Sequence, residues 1–160
     1  TTVEQIYEAT QLLKQKNIRV AFFIQFGYLG ETKADIDKTI AMIKELIPDN
    51  IGVSVSYPLP GTKFYDKVKD DLKLKANWTD SDDLAMLFKG TYNTKFYKKL
   101  QRYVHKEYRI SQAFKNLKTF FKNPLQLSKH QYRSLVMLGY YLPSAFIDKM
   151  LLKTMQQNND

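Results

Sequence analysis

The sequence predicts an α/β fold in which two parallel strands are followed by a long helical tail. Three observations carry this reading. Residues 18–26 form a short, almost continuously apolar run. Residues 51–57 alternate strictly between larger and small side chains. Between them, Ile36, Ile40, Ile43 and Ile47 recur at helical spacing.

Residues 2–16 read as a helix, because Val3, Ile6, Ala9 and Leu13 follow one another at three- and four-residue steps. Thr1 with Glu4, or Thr2 with Gln5, supplies a capping box. The apolar run of 18–26 contains Val20, Phe22, Phe23, Ile24 and Phe26, which suits a strand buried on both faces. It ends at Gly27-Tyr28-Leu29-Gly30. Residues 33–47 form a second helix, capped by Thr32, with Asp35 where a negative charge suits the helix dipole. Pro48-Asp49-Asn50 stops it. In residues 51–57, Ile51, Val53, Val55 and Tyr57 take one face and Gly52, Ser54 and Ser56 the other. A strand, a helix and a second strand imply a parallel, right-handed crossover. The small-residue face leaves room either for a ligand or for a closely packed helix.

Pro58-Leu59-Pro60-Gly61-Thr62 makes a rigid turn into a short helix over 62–70. Residues 71–94 read as irregular, apart from a helical turn near 81–88, with Trp78 and Tyr92 pinning the segment to the core. From residue 94 the pattern is helical again. Phe96, Leu100, Tyr103 and Val104, then Ile110, Phe114, Leu117 and Phe121, form a stripe that Asn123-Pro124 ends. Ser128 and Gln131 form a capping box for a helix over 129–141, and a last helix runs over 144–155. The chain thus divides into βα units over 1–93 and a basic helical extension over 94–160.

Composition narrows the functional classes. The chain has 160 residues, 44% hydrophobic and 26% charged, enough for one domain with a core. It has no cysteine, so it forms by itself no disulfide, thiolate nucleophile or thiolate-held zinc or iron–sulfur site. It does not begin with Met, and residues 1–18 mix polar and apolar side chains unlike a signal peptide. No run reaches the roughly 18 apolar residues needed to span a bilayer. The net charge of +9 is concentrated: residues 95–133 carry 11 Lys or Arg against one acid. Such a segment marks an anionic partner or a solvated helix face.

Two turns lie at the C-terminal ends of the two strands: Gly27-Tyr28-Leu29-Gly30-Glu31-Thr32 and Tyr57-Pro58-Leu59-Pro60-Gly61-Thr62. That edge is where parallel α/β sheets place ligands, and glycines there permit close approach to the backbone. At these residues the sequence resembles the radical S-adenosylmethionine superfamily. It is most similar to the cobalamin-binding branch that includes enzymes like anaerobic magnesium-protoporphyrin IX monomethyl ester cyclase. The fifth strand of that family ends in Gly-x-Pro-Gly-Glu-Thr. Gly27, Gly30, Glu31 and Thr32 match, and Leu29 stands in place of the proline. The sixth is followed by Pro-x-Pro-Gly-Thr and an aromatic residue, matched by Pro58, Pro60, Gly61 and Thr62 with Phe64 and Tyr65. Trp78-Thr79-Asp80-Ser81-Asp82-Asp83-Leu84, Gly90-Thr91-Tyr92, Phe96-Tyr97 and His105-Lys106-Glu107 also look like the branch, and the resemblance covers about residues 1–109.

The resemblance implies the last two strands of a partial (β/α)6 TIM-like barrel plus a helical tail. It implies that this chain is a C-terminal fragment of an Fe–S oxidoreductase or methyltransferase-type enzyme. Such enzymes use a [4Fe–4S] cluster to cleave S-adenosylmethionine to a 5′-deoxyadenosyl radical, and some use cobalamin. The cluster cysteines and cobalamin domain of the family lie upstream, so the missing N-terminal barrel and cobalamin domains are the expected partners. The isolated chain is expected to be inactive and to hold no cofactor stably. Carried over by position, the adenosine side of S-adenosylmethionine would meet Ile24, Phe26 and Gly27 of the first strand and turn, and Tyr57, Pro58 and Leu59 of the second.

Other residues invite a role. Glu31 suits a ribose or amino contact, or a first-turn acid of the following helix, and the second is preferred. Asp80, Asp82 and Asp83 lack calcium-loop spacing, and His105 and His130 each lack partner ligands for a metal. The competing reading is a non-enzymatic basic helical module that binds an anionic membrane surface, a nucleic acid or a partner protein. An unpaired edge at 18–26 also predicts self-association. The expected location is cytoplasmic, with membrane-peripheral attachment as an extension of it.

Overall fold

The structure is a computed structural model that describes residues 2–72, 84 and 86–157. Its elements run α1 (Val3–Gln15), β1 (Ala21–Phe26), α2 (Lys33–Leu46), β2 (Asn50–Val55), α3 (Lys63–Val68), α4 (Thr94–Lys122), α5 (Lys129–Val136) and α6 (Leu138–Gln157). Short 3₁₀ turns follow α3 and α4, at Lys69–Asp71 and Pro124–Gln126.

The chain is mostly helical. Among the described residues there is one sheet of two strands, against six α-helices. This overturns the expected α/β class and its partial (β/α)6 TIM-like barrel. The physical reason is visible in the core. Helices α2 and α4 supply most of the apolar surface that closes over the sheet. The two short strands contribute only one covered face.

The strands pair in parallel, with Ala21 opposite Asn50 and Phe26 opposite Val55. The Asn50 and Ser56 amides donate to the Val20 and Phe26 carbonyls at 3.4 and 2.6 Å. Along a strand, successive residues turn their backbone groups to opposite sides. The even-numbered residues of β2 therefore face β1, while Ile51, Val53 and Val55 present theirs to the outer edge. There the Gln101 amide of α4 donates to the Val53 carbonyl at 3.2 Å. The outer edge of β1 pairs with no described element.

One core joins the covered face of the sheet (Ile24, Phe26, Ile51, Val53, Val55) to α2, α4 and Leu152 of α6. Phe26, Ile43, Phe96, Tyr97, Leu100 and Val104 are almost wholly buried. Each such side chain contributes about 1.5–3 kcal/mol relative to exposure. Among the described residues no helix packs on the opposite face. Phe23 is 76% exposed, Ala21 and Gln25 are exposed, and Gly52 and Ser54 are half-buried. The expectation of a strand buried on both faces therefore fails, because the described helices cover only one side. A Cβ at Gly52 would lie 3.0 Å from the Phe23 ring, so glycine there lets that ring lie across the strand pair.

Local chemistry sets the element ends. Thr2, Thr32 and Ser128 each form a capping box, with Gln5, Asp35 and Gln131. Asn93 caps α4 through the Phe96 amide. The stripe expected on α4 holds as far as Ile110, but Phe114 and Phe121 are exposed. At about 1.5 Å per residue, a 29-residue helix is longer than the core it covers. The break expected at Pro143 falls instead at Met137, and Pro143 lies inside α6. The helical turn expected near 81–88, like Trp78, Asp80, Asp82 and Asp83, falls largely outside the described residues. Tyr92 stacks on Phe96 with ring centroids 4.0 Å apart.

Candidate functional site

The two motif turns repeat one local design at the same end of the sheet. In the first, the Glu31 amide donates to the Tyr28 carbonyl at 3.0 Å, and Gly30 takes φ +78°. In the second, the Thr62 amide donates to the Leu59 carbonyl at 3.2 Å, and Gly61 takes φ +83°. A positive φ at the third residue is the mark of a type II turn, which favours proline at the second. Pro60 holds that place in one turn and Leu29 in the other. Each turn then enters a helix through a threonine cap, Thr32 to the Asp35 amide and Thr62 to the Tyr65 amide.

Aromatic contacts join the turns. The Tyr28 ring lies 4.7 Å from that of Phe64, which meets Phe88 edge-on at 5.3 Å. Below them, Gly27 takes φ +82°, and a Cβ on it would fall 3.0 Å from Met86 Sδ and 3.3 Å from the Tyr97 ring. The Gly27 amide donates to Glu31 Oε2 at 2.9 Å, and the Tyr97 hydroxyl donates to the same oxygen at 3.2 Å. Burial raises the Glu31 pKa above the ordinary carboxylate range, against the lowering effect of these two bonds. Burial also raises the Tyr97 hydroxyl, helped by the Glu31 charge. Glu31 is thus neither a first-turn acid nor, in this conformation, open to a ribose. α2 starts two residues later, its first-turn acid is Asp35, and Glu31 instead braces the turn. Nothing in the sequence pairs Glu31 with Tyr97, 66 positions away.

The residues carried over from the resemblance fall into two groups. Ile24, Phe26, Gly27 and Pro58 are buried, the first two with their side chains in the closed core. Tyr57 and Leu59 lie at the edge itself, where Tyr57 is half-buried and Leu59 is 53% exposed. On the sheet face that no described helix covers, Ser54 Oγ is enclosed without a hydrogen-bond partner. An unpaired buried hydroxyl of this kind costs about 1–3 kcal/mol. A cluster, by contrast, finds no thiolate in this chain, which has no cysteine.

A second concavity lies at the other end of the strands. Arg19 and Asp49, which precede β1 and β2, line it with Arg109, Lys115, His130 and Arg133, around about 570 Å³. Among the described residues none of the four Arg and Lys side chains pairs with a carboxylate. Asp49 is engaged, its Oδ2 accepting the Val20 amide at 2.8 Å. His105, close by, is held below its ordinary pKa by burial and by the Arg109 charge. Neither histidine joins a metal-binding group among the described residues.

No protein-family model matches the chain, and no curated protein sequence matches it.

Proposed function

We propose that this chain forms the adenosine-side edge of a radical S-adenosylmethionine enzyme whose cluster-binding cysteines lie outside it. The observation that carries the reading is the side-by-side placement of the two motif turns at one end of a parallel strand pair. The Ser56 amide bonded to the Phe26 carbonyl holds them together, as do the touching Tyr28 and Phe64 rings.

Each part of the edge has a task. The exposed backbone at Gly30 admits a flat ligand closely. Tyr57 and Leu59 supply apolar contact for an adenine face. Ile24, Phe26 and Pro58 act from beneath, fixing the backbone that the ligand meets. The cluster, with S-adenosylmethionine, supplies the radical chemistry. This chain orients the adenosine and keeps water from it.

The test uses the protein as it occurs in its cells, isolated anaerobically through a tag on this chain. The reading requires an iron–sulfur signal by electron paramagnetic resonance and formation of 5′-deoxyadenosine from S-adenosylmethionine. Leu59→Glu should lower 5′-deoxyadenosine formation at least about tenfold, the equivalent of 1.4 kcal/mol of lost binding, mainly through KM. Absence of the cluster signal, or an unaffected Leu59→Glu variant, would refute it.

A further inference from the structure

We infer that α5 and α6 form a membrane-docking face that seats the chain on an anionic lipid leaflet. The inference is independent of the radical reading and rests on three features of the helical tail.

The first is that α6 is apolar on both sides. Inward, Ala145 and Leu152 are buried. Outward, Phe146 is 65% exposed and Ile147, Met150 and Leu151 are about half exposed or slightly less. A group of large apolar side chains left exposed in this way marks a protein or membrane contact. The stripe is also continuous. Within α6, Tyr140, Pro143, Ile147 and Met150 follow at three- and four-residue steps, over about 15 Å at helical rise. Among the described residues no single helix is long and apolar enough to cross a membrane, but α5 and α6 together are, by length and composition, with a 49° bend between them. A bent, half-covered pair is suited to lying in the interface rather than crossing it.

The second feature is charge. On α5, Lys129, Tyr132, Arg133 and Val136 share one exposed face at i, i+3, i+4 and i+7. Lys149 and Lys153 are exposed on α6. The one acid over residues 129–157 is Asp148, which turns inward between Lys99 and Lys106. The outward face is therefore apolar, rimmed by cations and free of carboxylates.

The third feature is the concavity beside α5, where Arg19, Arg109, Lys115, His130 and Arg133 outnumber one acid, Asp49. Its cations, unpaired by carboxylates, offer a place for lipid phosphates next to the apolar stripe. Charge also selects the occupant. A symmetric dimer through this face would bring together two copies of the same cation-rimmed patch, with no carboxylate on it to pair them. An anionic leaflet satisfies both the cations and the apolar stripe.

Co-sedimentation of the chain with vesicles tests this, using phosphatidylcholine alone and phosphatidylcholine with phosphatidylglycerol. Binding to the anionic vesicles that weakens with salt is expected, with much less binding to the neutral ones. Phe146→Asp with Ile147→Asp should lower anionic-vesicle binding at least about tenfold, the circular dichroism unchanged because both side chains are exposed. Lys129→Ala and Arg133→Ala should each lower it about fivefold. Three results would each overturn the inference: no binding to anionic vesicles, wild-type binding by the Phe146/Ile147 variant, or a dimer by light scattering that this variant breaks.

Discussion

The Tyr97 hydroxyl of α4 donates to the Glu31 carboxylate of the first motif turn, and through that oxygen the turn is anchored to the helical tail. The same oxygen accepts the Gly27 amide, so one side chain fixes the turn's start, its end and its distance from α4. The edge is therefore held by a helix that the motif itself does not contain.

This arrangement has a pH signature. Burial raises the Glu31 pKa in the folded state above its unfolded value. Its contribution to stability is therefore full below the unfolded value and is lost as pH rises through the raised folded one. Glu31→Gln keeps an acceptor for Gly27 and Tyr97 but does not ionise. The stability of this variant relative to the wild type should rise as pH climbs through the raised Glu31 value, measured by urea unfolding at a series of pH values. Glu31→Ala leaves the buried donors unpaired and should cost about 1–3 kcal/mol at neutral pH.

Gly27 is the position in the turns least tolerant of a side chain. Its φ of +82° and the 3.0 Å approach of Met86 Sδ both penalise a Cβ. Gly27→Ala should destabilise by about 1–3 kcal/mol, combining left-handed strain with displacement of the Met86 side chain. Gly30→Ala meets no atom within 4 Å, so it should show the smaller loss that comes from φ alone. Thermal melts of the two variants should rank in that order.

Asp148 ties α6 to α4. It accepts from Lys106 at 2.6 Å and Lys99 at 3.2 Å, with its own side chain only 6% exposed. Burial alone would raise its pKa, but the bonds and charges of the two lysines together bring it below the ordinary value. Its stabilising contribution is present above the unfolded pKa and lost as pH falls through the lowered folded one. Asp148→Ala should cost about 3 kcal/mol or less, since both lysines retain some access to water. Loss of hydrogen-exchange protection should concentrate in α6.

Local patterns in the sequence reached the structure well. The threonine and serine caps, both glycine turns and the parallel crossover follow from residues within a few positions of one another. What failed was global. The apolar run of 18–26 does not reveal that the described helices cover only one of its faces, so it reads as a strand buried on both while Phe23 lies exposed. The periodicity of α4 does not reveal where the core stops, so the stripe runs on to Phe121, which is exposed. The fold class failed for the same reason, because α2 and α4 close the core over only two strands. At the candidate edge, Gly27, Tyr57 and Leu59 were legible from the motifs. The Glu31–Tyr97 bond was not, because it joins distant segments that carry no shared pattern.

The most direct test of the proposed edge is photolabelling of the anaerobically isolated protein with 8-azido-S-adenosylmethionine, followed by peptide mapping. Label on residues 57–62 or 27–30, competed away by S-adenosylmethionine, is the expected result. Label confined to other segments, while 5′-deoxyadenosine still forms, would contradict the account.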